Sequence, residues 1–179
     1  MPRIISGIVS LLQHVETLNK HPESYRPERC PCCGRSGLWW HGYYYRKCIR
    51  AKTDPPLQNP IPIPRFFCPH CKKTHSVLPE CIPPRRWYLW YMQQLVFLEL
   101  LVETSLYQIN QAISPSRSTC RRWWQQFKEQ FLLHGNALRT YLSELGCAES
   151  FNDFWLACFD KISLAKAMLL CHQQGVNIP

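Results

Sequence analysis

Two short cysteine motifs carry the clearest chemistry in this chain. The first reads Cys30-Pro-Cys32-Cys33-Gly34 and the second Cys68-Pro-His70-Cys71, with thirty-four residues between Cys33 and Cys68. A CxxC turn sets two thiolates on one knuckle, with backbone amides aimed at the sulfurs. Proline after the first cysteine and glycine after the second suit so tight a turn. Two knuckles brought together complete a tetrahedron of soft ligands, the arrangement zinc prefers. The spacing therefore predicts a Zn2+ site made by Cys30, Cys33, Cys68 and Cys71. Cys32 competes with Cys33 for one place; Gly34 favours Cys33, and the choice stays open in the sequence. His41, His70 and His75 are the other donors at hand. Four sulfurs leave no open coordination position, so the predicted metal is structural and not catalytic. Its binding would add on the order of 10 kcal/mol to folding.

A second group of residues has the types and spacing to read DNA. Over RSTCRRWWQQFKEQF, Cys120, Trp124, Phe127 and Phe131 recur at helical spacing and predict a buried stripe. The opposite arc carries Ser118, Arg121, Arg122 and Gln125. Arg and Gln are the side chains that pair with guanine and adenine edges, while Arg117 and Lys128 flank the arc and suit phosphates. Ser116 is placed to cap this helix. SLYQINQAI before it predicts a shorter helix, and Ser114-Pro115-Ser116 a turn, which together make a helix-turn-helix candidate.

The charge distribution points to the same partner. Net charge is +9, and it is uneven: residues 1–129 carry 18 Lys+Arg against 8 Asp+Glu, and residues 130–179 carry 3 against 4. A basic surface takes a polyanion, most often nucleic acid. Within the cysteine-rich segment Arg46, Lys47, Arg50, Lys52, Lys72 and Lys73 are expected to be exposed to DNA. Trp39, Trp40, Tyr43, Tyr44 and Tyr45 lie among them and are expected to be mostly core. No apolar run is long enough to span a membrane. The stretch IISGIVSLL is short and lacks a cleavage pattern, and the cysteine count is eleven, an odd number. A cytoplasmic, nucleoid-associated protein is expected rather than a disulfide scaffold. Cys120, Cys158 and Cys171 lie among apolar residues and read as small buried hydrophobes.

The elements that must position these groups read as a mainly α chain with a small β zinc ribbon. Residues 1–22 are an N-terminal segment with an amphipathic helix over 3–19, its stripe formed by Ile4, Ile8, Leu11, Val15 and Leu18. Residues 23–84 are the ribbon, with strands in GLWWHGYYYRK, IPRFF and THSVL. Residues 54–64, with five prolines, read as an extended loop joining two strands. Residues 85–134 are the helix-turn-helix-like domain, with a buried helix over about 86–103, a short one over 105–113 and a third over about 117–133, stopped by His134-Gly135-Asn136. Residues 135–179 are a helical partner or dimer region, with helices over 137–145 and 151–170.

IISGIVSLLQH, CPCCG, HGYYYR, IPIPRFFCPHC, SVLPECIPPRRWY and SRSTCRRWW together resemble a family of short bacterial proteins encoded by insertion sequences and often labelled transposase or transposase-associated. Members of that family pair an N-terminal zinc ribbon with a helix-turn-helix, and the resemblance runs through FNDFW and GVNIP. It implies a mobile-element setting rather than a mechanism.

Catalysis is not expected. A DDE transposase needs three carboxylates on an α/β domain to hold two metals, and the acids after residue 130 (Glu144, Glu149, Asp153 and Asp160) sit in segments that read as helices. No phosphate-cradling loop is present. The expected function is a zinc-dependent, duplex DNA-binding accessory protein that recognises the ends or promoter of its element and recruits or regulates a separate transposase, with homodimerisation through the C-terminal region open. The alternatives are a protein-interaction adaptor and an RNA-binding ribbon within a larger nucleoprotein complex.

Overall fold

In the computed structural model, residues 3–47 and 60–178 are described. The chain divides into two units, Met1–Leu89 and Trp90–Pro179. Helices take up about half of it and strands form one four-stranded sheet, so the fold is mixed α/β rather than mainly α.

The first unit is built on the sheet. Strands β1 (Arg3–Ile5), β2 (Trp39–Arg46), β3 (Ile61–Phe67) and β4 (Thr74–Pro79) lie in the order β1-β4-β3-β2. The N-terminus departs from the helix expected over 3–19. Arg3, Ile4 and Ile5 pair in parallel with Val77, Leu78 and Pro79, as β-branched residues beside an open edge favour. Gly7, at φ 81, then turns the chain. Helix α1 (Leu11–Lys20) starts only after Ser10, whose hydroxyl accepts the Gln13 amide at 3.1 Å.

Strand β3 contradicts the extended loop expected over 54–64, since it begins at Ile61 and contains Pro62 and Pro64. Pro55 and Pro56 lie outside the described residues. A proline has no N–H for a ladder, and pairing between β3 and β4 stops at Arg65 and Ser76, next to Pro64. On the β2 side the ladder continues to Arg46 and Ile61. The Pro62 carbonyl is taken up instead by His14 of α1, whose Nε2 donates at 2.8 Å.

Both faces of β3 and β4 are covered. Phe66 and Val77 pack with Ile8, Leu18, Tyr25, Leu38, Cys30 and Cys68. Ile61, Ile63 and Leu78 pack with Ile82 and Leu89 on the other face. One core thus surrounds the cysteine motifs, and the second lies beneath residues 81–89.

The second unit is helical: α2 (Trp90–Leu101), α3 (Leu106–Ala112), α4 (Arg117–Glu129), α5 (Phe131–Arg139), α6 (Phe151–Lys161) and α7 (Leu164–Gln173). Ser105 and Gln108 form a reciprocal capping box that opens α3. Several boundaries differ from the sequence reading. The chain kinks at Gln130 (φ −88°, ψ 1°), so the helix expected to run to Leu133 ends there. His134-Gly135-Asn136 lies inside α5 and does not stop it, and the domain boundary expected at 134/135 falls within that helix. A Cβ at Gly135 would come within 3.3 Å of the Arg139 guanidinium and into ordinary contact with Phe131 and Phe154. The helix expected over 151–170 is two helices, because Ser163 caps α7 by accepting the Lys166 amide; the helix expected over 137–145 is the end of α5 followed by a 3₁₀ turn over Ser143–Cys147. Phe127 centres the core, stacked on Phe97 at 4.1 Å and set against Trp155 at 4.2 Å between ring centroids.

His14 couples fold to pH. It is fully buried, Tyr25 donates its hydroxyl to Nδ1 at 2.6 Å, and the acceptor Pro62 requires the proton on Nε2. Burial lowers its pKa below the ordinary 6.5, against the carbonyl of Pro62. The unfolded chain therefore takes up a proton near pH 6.5 that the fold refuses, and stability present at neutral pH is lost as pH falls. Denaturant unfolding between pH of about 7.5 and 5.5 should show His14→Gln flattening the acid limb by up to about 1.4 kcal/mol per pH unit. An unchanged slope would show that His14 is not the group responsible.

Candidate metal centre and basic helix

The two cysteine motifs fold into matching knuckles. In the first, the Cys30 amide donates to the Arg35 carbonyl at 2.8 Å and the Gly34 amide to the Cys30 carbonyl at 2.9 Å. In the second, the Cys68 amide donates to Lys73 at 2.9 Å and the Lys72 amide to Cys68 at 3.0 Å. The residue after each closing cysteine takes positive φ: Gly34 at 73° and Lys72 at 57°. The second motif thus uses a lysine where the first uses glycine, which a non-glycine residue does at some cost.

The sulfurs of Cys30, Cys33, Cys68 and Cys71 all lie within 4.8 Å of one another. Cys30 and Cys71 are 3.7 Å apart, as are Cys33 and Cys68. A disulfide would need ~2.05 Å. Four sulfurs at ~2.3 Å from one tetrahedral ion would stand roughly 3.8 Å apart, so the spacing fits a metal. These four residues can hold a metal ion. Cys32 lies outside the cluster with an exposed thiol, 3.4 Å from Lys73 Nζ, and its amide points at Cys30 Sγ at 3.4 Å. The knuckle geometry thus assigns the second place to Cys33.

The thiols are electrostatically unequal. The backbone amide of Cys71 pulls the Cys68 thiol down to about 6 against desolvation, helped by the amide of His70. Loss of solvent pushes the Cys71 thiol up to about 12. A cation in the cluster would favour the thiolate at all four. None of the three candidate histidines joins the ring of sulfurs. His75 Nε2 lies 3.2 Å from Cys30 Sγ and braces it from outside. His70 Nδ1 lies 3.3 Å from the Arg35 guanidinium, and His41 leans on Phe67. The sequence pattern missed the role of His75. The sequence offered His75 only as a competing ligand; the register that sets it opposite Phe66, two residues before Cys68, comes from the β3–β4 ladder.

The residues expected on the basic helix face are all brought together. Arg117, Ser118, Arg121, Arg122, Gln125 and Lys128 are exposed on α4. Ser116 caps it, accepting the Thr119 amide at 3.4 Å. The buried stripe differs from expectation: it is Cys120, Trp123 and Phe127, with Trp124 half-buried and Phe131 moved to α5 by the break at Gln130. Asn110 donates to the Pro115 carbonyl at 3.1 Å, and Arg117 lies 5.9 Å over the Tyr107 ring, so α3 and α4 are tied through their turn. Gln125 donates to Glu129 at 2.8 Å.

On the sheet, Arg46 is half-buried, and its guanidinium donates to the carbonyls of Pro83 and Arg86. Lys47, Lys72 and Lys73 are exposed, while Arg50 and Lys52 lie outside the described residues. The aromatic residues of β2 depart from their expected core role. Trp39 is 61% and Tyr45 68% exposed, and Trp40 and Tyr43 are also open to solvent; only Tyr44 joins a core. Trp40 stands edge-on to Phe66 and Tyr43, and Trp39 is tilted against Phe67.

Residues 30–123 match the model of a family described as Domain of unknown function (DUF6431). The chain belongs to this family. The match begins at the first cluster cysteine and ends at the buried Trp123 of α4. No curated protein and no solved structure matches. Among the described residues, no helix is long and apolar enough to cross a membrane.

Metal analysis of purified variants separates the neighbouring thiols. Cys33→Ser should lose stoichiometric metal and Cys32→Ser should keep it; the reverse pattern would move the site. His75→Phe should keep the metal but weaken its hold by about 10- to 100-fold in chelator competition, the range for residues that support ligands. Unchanged affinity would make the Cys30 contact incidental.

Proposed function

We propose that this member of the family is a zinc-dependent DNA-binding accessory protein of a bacterial mobile element, and not an enzyme. The observation that carries the reading is the face of α4. Six polar or basic residues stand exposed on it, while Cys120, Trp123 and Phe127 fix the opposite face in the core. In this reading α3, its turn and α4 act as a helix-turn-helix, with α4 in the major groove. Arg121, Arg122 and Gln125 meet base edges, with Ser118 beside them, and Arg117 and Lys128 meet phosphates. Among the described residues neither Arg121 nor Arg122 has an acidic partner. Gln125 must leave Glu129 to read a base, so Glu129 tempers affinity.

The four-sulfur cluster is read as a structural zinc ribbon. A complete thiolate set is the donor set zinc takes, and it leaves no place for a reacting water. Lys47, Lys72 and Lys73 add basic character on that unit, with Arg46 holding the turn behind them. The mobile-element setting, and with it the recruitment or regulation of a separate transposase, rests on the likeness of the sequence motifs. Leu132 and Leu133, 72% and 54% exposed on α5, are the proposed partner or dimer contact.

Selection from a randomised duplex library, followed by binding assays on the enriched and scrambled sequences, tests this. The protein should discriminate between them, with affinity falling steeply as salt rises. Arg121→Ala and Gln125→Ala should each lose about 1–3 kcal/mol of discrimination, and Glu129→Ala should tighten binding. If both variants discriminate as well as the parent, α4 is not the reading helix.

A further inference from the structure

The N-terminal unit carries a basic surface of its own. Two clefts lie side by side on it, of about 430 and 590 Å³, and Ser76 and Arg85 line both. Five cations line the pair: Arg46 and Lys47 from the end of β2, Lys73 from the second knuckle, and Arg85 and Arg86 from the turn after β4. Among the described lining residues none is acidic. Such a cation-lined hollow favours a polyanion. Trp87, 54% exposed, forms part of the wall.

The turn that presents Arg85 is held in an uncommon state. Arg85 has φ 59°, a conformation in which glycine is more stable, yet its side chain is charged and exposed. Arg46 donates to the carbonyls on either side of it, at Pro83 and Arg86. Strain kept in place by such bracing is a feature of ligand sites. The brace ties Arg46 Nη2 to backbone, and Arg85, Lys47 and Lys73 are the exposed cations of the clefts.

We infer that this joined cleft binds a single strand of nucleic acid, with phosphates along Lys73, Arg85 and Lys47 and a base stacked on Trp87. A duplex turns its bases inward and keeps their faces from a wall tryptophan. A single strand offers phosphate and base face together, which a basic groove with an aromatic wall takes up. The inference rests on the polyanion reading of this unit and not on the α4 assignment.

The test uses the full, metal-loaded chain with a labelled oligothymidine of about 15 nucleotides, followed by anisotropy, and a blunt duplex of equal length as competitor. Oligothymidine binding should weaken about tenfold in Trp87→Leu and by a similar factor in Arg85→Gly, with the Arg85→Gly loss the smaller at high salt. Arg85→Gly should keep or raise the melting temperature, so weaker binding by that variant does not come from unfolding. Arg121→Ala should leave oligothymidine binding unchanged, which separates this site from the α4 face. Binding indifferent to Arg85→Gly and Trp87→Leu, or duplex outcompeting the single strand at this cleft, would overturn the inference.

Discussion

Two cysteine knuckles separated by thirty-four residues meet only if the chain between them doubles back, and the β2–β3 ladder does this. Trp39 pairs with Phe67, five residues after Gly34 and one before Cys68, so the strand ends carry each knuckle to the other. Four thiols held 3.7 Å apart in pairs would repel as thiolates without a cation among them. The ladder supplies the approach and a bound metal would make it favourable, which is how small metal-bearing units gain stability from binding. Cys30 and Cys68 also belong to the core that contains Tyr25, Leu38, Phe66 and Val77. The cluster is therefore part of the packing of the first unit and not an appendage to it.

That dependence explains the odd features around the sheet. β3 has proline at two positions where a central strand normally has none. The missing donors face a stretch where β4 no longer pairs, and buried His14 serves the Pro62 carbonyl. β4 in turn buries Val77 and Leu78 in succession, one in each core, and gains a parallel partner from Arg3–Ile5. With both faces of β3 and β4 occupied, the aromatic residues of the edge strand β2 are left toward solvent, and the turn after β4 is left to display cations.

What was legible in the sequence was local. The CxxC pairs, the Pro and Gly beside them and the Ser116 cap each act within a few residues, and each marks a feature of the structure. The choice of Cys33 over Cys32 was legible only through Gly34. What was not legible depended on distant partners. Three residues at 3–5 become a strand because residues 77–79 offer an edge, and no periodicity in the N-terminal stretch reports that. Rings at 39, 43 and 45 look like core by type, but burial needs a covering layer that the local pattern does not encode. The break at Gln130 has neither glycine nor proline to mark it. Ser163 was a usable cap signal for splitting the last long helix.

The second unit gives α4 its constancy: a face locked by Cys120, Trp123 and Phe127 can present six polar side chains in fixed register. The family match covers the cysteine cluster and the first half of this helix, so both features lie within the shared segment. The most direct test of the account is X-ray absorption at the metal edge of the purified full chain. It should show one zinc per chain with four sulfur scatterers at about 2.3 Å. Nitrogen or oxygen ligands in the sphere, no stoichiometric metal, or the four thiols joined as disulfides would contradict it.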